Sequence, residues 1–158
     1  MTPDIYDTYA DQVGVVELQF RGFGKRRSFH GPCSTIKCFE DHRLVRAASQ
    51  SPGGGRVLVV DAGGSMRVAM MGDMLASNCM NNGWAGVVIF GVVRDTPQID
   101  ALDFGVKALG TTARRSGPED LGGSVDLPVS FGGVTFRPGD WVYADADAVL
   151  VSPSELAL

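Results

Sequence analysis

The chain has 158 residues, enough for one domain with a proper core and too few for two. Hydrophobic residues make up 44% and charged residues 20%, which excludes a disordered chain, and no apolar run nears the length of a membrane span. A net charge of −4 with a pI near 5.0 argues against direct nucleic-acid binding, which needs a basic face to displace counterions.

Thr2-Pro3-Asp4 opens a short helix to about Asp11, with a capping hydroxyl, a first-turn proline and acids at the positive end. Ser28 to Phe39 is expected as a strand, since Ser34 to Phe39 alternates and is β-prone, and Glu40 to Gln50 as a helix stopped at Ser51-Pro52-Gly53. Arg56 to Asp61 is almost unbroken apolar sequence, the mark of a strand covered on both faces. Gly63-Gly64 turns the chain, a helix spans Gly72 to Asn81, and Val87 to Gly91 forms a second buried strand. Two such strands around a helix imply a parallel pair with a right-handed crossover. A short helix near Gln98–Leu102 and a strand at Val106–Leu109 follow, then a loop from Thr111 to Gly123. Val125–Phe131 and Val134–Phe136 are expected to pair across Gly132-Gly133, with final strands at Trp141–Ala144 and Ala148–Val151. The fold class is therefore α/β with a mixed sheet, in a single domain spanning 1–158.

The glycine-rich stretches are expected to be plain turns, not phosphate cradles. Gly53-Gly54-Gly55 precedes a strand instead of following one, and Asp61-Ala62-Gly63-Gly64-Ser65 lacks both the third dinucleotide glycine and a P-loop lysine. Only His30 and His42 are present, without a zinc pattern, and no Gly-x-Ser-x-Gly marks a serine hydrolase. His30 is expected in the core or at an interface. Cys33 and Cys38 have opposite parity on their strand and should face opposite sides as free thiols, as in a reducing cytoplasm. The amino end lacks a secretory pattern, which again points to a cytoplasmic location. Asp140, Asp145 and Asp147 are explained by turn chemistry.

Two segments carry the chemistry. Gly72-Asp73-Met74-Leu75 starts a helix, where unpaired amides bind a carboxylate and glycine admits a ligand to the backbone. Arg94-Asp95 follows a buried strand, at the end where open α/β sheets place their ligands. Arg94 offers a planar fork for a carboxylate or oxyanion, and Asp95 is a hard oxygen ligand for magnesium or manganese. Together they suit a small 2-oxo acid held on a divalent metal.

These residues resemble the RraA-like family. The resemblance rests on Val57 to Ser65, Gly72-Asp73-x-Leu75-Ala76 and Gly91-Val92-Val93-Arg94-Asp95, and it extends through Phe23-Gly24, Thr35 to Asp41, Gly132 to Phe136 and Pro138-Gly139-Asp140. It implies a swivelling β/β/α domain assembled as a homotrimer, or a trimer paired into a hexamer. It also implies one of two activities. Some members are class II 4-hydroxy-4-methyl-2-oxoglutarate aldolases that also decarboxylate oxaloacetate through a pyruvate enolate. Others bind and inhibit ribonuclease E. By the aldolase pattern, Gly72, Asp73, Met74 and Leu75 bind the substrate carboxylate, Arg94 binds substrate, and Asp95 ligates Mg²⁺ (or Mn²⁺ or Co²⁺). Asp73 then orients the water that manages protons. A methyltransferase name has also been attached to such proteins, but the chain has no methyl-donor fingerprint.

Overall fold

The computed structural model describes Met1–Leu158. In chain order the elements are α1 (Thr2–Tyr9), β1 (Gly14–Val15), β2 (Arg21–Phe23), β3 (Phe29–Lys37), α2 (Arg43–Ser49), β4 (Val57–Asp61), β5 (Ala69–Met71) and α3 (Asp73–Asn81). There follow β6 (Gly86–Val93), α4 (Thr96–Asp100), β7 (Val106–Thr111), β8 (Ser124–Val125), β9 (Val129–Phe131), β10 (Val134–Phe136), β11 (Trp141–Ala144) and β12 (Val149–Ser152).

One ten-stranded mixed sheet organises the chain: eight strands run in the order β1-β12-β11-β3-β4-β6-β7-β2, with β5 paired to β6 and β8 to β3. Its centre, β3-β4-β6-β7, is parallel, and its flanks are antiparallel. The apolar run of β4 shows why the centre is buried on both faces. Leu58 and Val60 join Val45, Ala76 and Cys79 on the helical side. Val57 and Val59 join Phe136, Val142 and Val149 on the other. Alternation along a strand thus divides one hydrophobic run between two cores.

The cysteines obey the same parity. Cys33 lies in the second core and Cys38 in the first, and all three thiols are free and buried. Burial pushes the Cys33, Cys38 and Cys79 thiols up to about 12, which makes them poor nucleophiles. Asp145 accepts hydrogen bonds from the amide and hydroxyl of Thr2, both at 2.7 Å, and so ties α1 to the turn after β11.

The structure corrects several expectations. The helix expected from Glu40 begins at Arg43, because Glu40 is left-handed (φ 54°) and Asp41 turns the chain by accepting the Arg43 amide. The strand expected over 125–131 is two pieces: Val125 pairs with Ile36, Asp126 reverses the chain at φ 59°, and only Val129–Phe131 pairs with β10. Strands β1, β2 and β5 are too short to show a period, and each exists because a neighbouring strand supplies its partners. Of the two places expected for His30, the structure excludes the core: the side chain is exposed, with its ring stacked 5.7 Å from that of Tyr143.

Candidate functional site

Two parallel strands deliver the two singled-out segments side by side. β6 runs on to Val93, so Arg94 and Asp95 leave the sheet directly from its buried centre. β5 lies beside that end, and the Arg94 amide donates to the Met71 carbonyl at 3.0 Å. Gly72 then caps α3, with the Ala76 amide closing the first turn onto its carbonyl at 3.1 Å. The amides of Asp73, Met74 and Leu75 have no helical carbonyl one turn earlier, as at any helix start.

Asp95 is the N-cap of α4 and sits in the left-handed region (φ 58°, ψ 39°), a conformation aspartate tolerates better than most residues. Its Oδ2 accepts the Asp73 amide at 3.4 Å and stands 3.9 Å from Arg94 Nε. A Cβ on residue 72 would meet that same oxygen at 2.5 Å, so the carboxylate occupies space only glycine leaves open. Arg94 also donates through a terminal nitrogen to the Ala113 carbonyl at 3.4 Å. The Arg94 and Asp95 side chains are 38% and 40% exposed, open to a ligand from solvent.

All six residues singled out in the sequence line one cleft of about 730 Å³. Its other wall was not anticipated. Arg43 and Arg46, three apart on α2, share a helix face, and Arg115 approaches through the loop before β8. Ser116 pins that loop: its hydroxyl accepts the His42 amide at 3.0 Å and donates to the Glu40 carbonyl at 3.2 Å. Burial, then the Arg46 guanidinium, holds the His42 imidazole below its usual range, with Arg94 and Arg43 adding and Asp41 opposing. Its Nδ1 is buried without a partner. The spacing of Arg43 and Arg46 was a readable signal, whereas the placement of Arg115 depends on a distant loop. A smaller hollow of about 450 Å³ lies on the other side of Arg94 and Asp95, lined by Thr96, Thr111 and Thr112. No three His, Cys, Asp or Glu side chains gather as a ready-made metal cage.

Among known proteins, the Aldolase/RraA pattern matches residues 2–151. The chain belongs to the RraA-like family. A relative from Pseudomonas syringae pv. tomato named "Putative 4-hydroxy-4-methyl-2-oxoglutarate aldolase" is 49% identical over the whole of this chain and 97% of its own length. Two solved structures superpose with a TM-score of 0.94. One, from Geobacillus kaustophilus, is named S-adenosylmethionine: 2-dimethylmenaquinone methyltransferase; it is 44% identical and covers 99% of this chain and 96% of that one. The other is the RNA-processing inhibitor RraA from Thermus, 38% identical over 99% of this chain and 94% of that one. The curled mixed sheet with its four helices is therefore the RraA fold. No helix of this RraA-like chain is long and apolar enough to cross a membrane.

Proposed function

We propose that this RraA-like chain is a divalent-metal-dependent C–C lyase that cleaves 4-hydroxy-4-methyl-2-oxoglutarate and decarboxylates oxaloacetate. One observation carries the reading: the Asp95 carboxylate, the Arg94 guanidinium and the first amides of α3 meet at one point in a cleft, around a glycine whose missing Cβ makes the room. The relatives named as aldolases support it.

The donor set fits a hard cation. Asp95 would hold it through its carboxylate, a hard oxygen donor of the kind that suits Mg²⁺, Mn²⁺ or Co²⁺, ions that can be bound by few protein ligands. When bound, such an ion supplies Lewis-acid polarisation of the 2-keto oxygen. The chain's own groups do the rest. The α3 amides from Asp73 to Leu75, at the positive end of the helix dipole, hold the carboxylate next to the ketone. The Arg94 fork, in the same cleft, would stabilise the negative charge that grows on the keto oxygen. In retro-aldol cleavage the C4 hydroxyl gives up its proton, the C3–C4 bond breaks, and its electron pair moves toward C3 and the keto oxygen; reprotonation at C3 leaves two pyruvates. Loss of carbon dioxide from oxaloacetate places the electron pair on the same carbon. Asp73 lines the same cleft and would orient the water that carries these protons. A coupled pyruvate assay with both substrates, with and without chelator, tests the proposal; no release above the metal-only background would sink it.

A second reading is a non-catalytic regulator, a cytoplasmic homotrimer or hexamer, that binds and inhibits ribonuclease E; the Thermus neighbour, named an RNA-processing inhibitor, supports it. The net charge of −4 suits a basic partner segment. Capture of ribonuclease E by the Asp95→Asn variant, with no turnover by the parent chain, would favour this reading.

A further inference from the structure

We infer that the α2 wall of the cleft seats a second anionic group of the ligand, with Arg46 and Arg115 selecting 2-oxo dicarboxylates over 2-oxo monocarboxylates. The inference rests on the 2-oxo acid reading above and adds the residues that read the far end of the molecule.

Charge is the first observation. The chain carries a net charge of −4, yet this cleft sets Arg43, Arg46, Arg94 and Arg115 against only Asp73 and Asp95. Local reversal of the molecule's own sign is what a site for an anion requires.

The arginines also divide by occupation. Arg43 is held by Asp41 at 3.9 Å and Asp120 at 3.6 Å, and by the Pro118 carbonyl. Arg94 is held beside Asp95. Arg46 and Arg115 enter none of the chain's ion pairs and donate no side-chain hydrogen bond, so both guanidiniums keep their donors for a ligand. Exposed arginines of this kind are ordinary on a surface, but these two line the same hollow as the reacting end.

His42 connects the two ends. Its side chain lines the same hollow as Arg46 and Arg94, which puts the α2 wall and the Arg94 wall on one shared space. A cleft of about 730 Å³ also exceeds what a three-carbon acid fills. The alternative seat beyond Arg94 and Asp95 offers the hydroxyls of Thr96, Thr111 and Thr112 and no further cation, so it suits an uncharged group.

The experiment compares two five-carbon acids differing only at the far end: 2-oxoglutarate, and 2-oxopentanoate with a methyl in place of the distal carboxylate. Calorimetric titrations in Mg²⁺ buffer use the parent chain, Arg46→Gln, Arg115→Gln and the double variant. The parent should bind 2-oxoglutarate more tightly, and the double variant should lose about ten- to hundredfold of that preference, as expected for charge-assisted hydrogen bonds. A thermal melt checks folding, and either single variant serves should the double one unfold. An unchanged preference ratio in the variants, or none in the parent, overturns the inference. Inorganic phosphate forms a third arm: displacement of 2-oxoglutarate by equimolar phosphate would make the wall a phosphate seat and overturn the carboxylate assignment. Because binding is read without turnover, a chain that shows the arginine-dependent preference yet releases no pyruvate refutes the lyase reading alone. A chain that releases pyruvate but shows no such preference refutes this one alone.

Discussion

Gly72→Ala is the smallest change that separates the site from the fold. The backbone there is extended (φ −124°, ψ −165°), so alanine brings no dihedral strain. Its Cβ, however, would stand 2.5 Å from Asp95 Oδ2, where ordinary contact begins at 3.4 Å. The carboxylate must retreat by about 1 Å, and a displacement of that size at a reacting centre costs about 10²-fold in rate. The helix loses a favourable cap for a poor one, worth about 1 kcal/mol, or about 2–4 °C in Tm for a domain of this size. Activity should therefore collapse while the fold holds. Pyruvate release from oxaloacetate, corrected for metal-only decarboxylation, gives kcat/KM; a thermal melt gives the stability. Activity within threefold of the parent would refute the steric reasoning, and a melt falling by tens of degrees would show that residue 72 serves the fold.

Asp95→Asn keeps a residue that tolerates the left-handed region and should abolish chelator-sensitive pyruvate release with little change in Tm. Arg94→Ala should lower kcat by about 10²–10³, as for loss of one oxyanion donor, in steady-state assays with either substrate. Chelation should silence the parent chain, and added Mg²⁺ or Mn²⁺ should restore it, in the same coupled assay. Acid stability depends on Asp145: burial alone would raise its pKa, but hydrogen bonds from Thr2, Asp147 and Ala148 outweigh it and hold the carboxyl below the usual aspartate range. The folded pKa lies below the unfolded one, so this stabilisation is present above about pH 4 and fades as pH falls further. Asp145→Asn should lower Tm at pH 7 and flatten the loss of Tm on acidification, measured by melts across pH.

Much of the centre was legible because its physics is local. The apolar runs of β4 and β6 announce strands buried on both faces, and the helix between them dictates parallel pairing. Arg94 and Asp95 could be singled out since they leave such a strand at its carboxyl end. The opposite parity of Cys33 and Cys38 foretold their separate cores.

Other features belong to no single stretch of chain. β5 is three residues long and exists because β6 offers it a ladder. That pairing places the cap of α3 beside Asp95, though Gly72 and Asp95 are remote in sequence. The 125–131 segment carries strand-forming residues throughout, but β3 takes Val125 and the hairpin takes Val129 to Phe131, so one run is split between two partners. Arg115 reaches the α2 wall because Ser116 is bound to the His42 amide and the Glu40 carbonyl. The sequence by itself determined which strands are buried and which acid and base stand at their exit, since periodicity and charge are written residue by residue. Only the tertiary structure decided what faces them: a site assembled across hydrogen-bond ladders and loop anchors has its geometry in contacts between distant segments, and no window along the chain contains them.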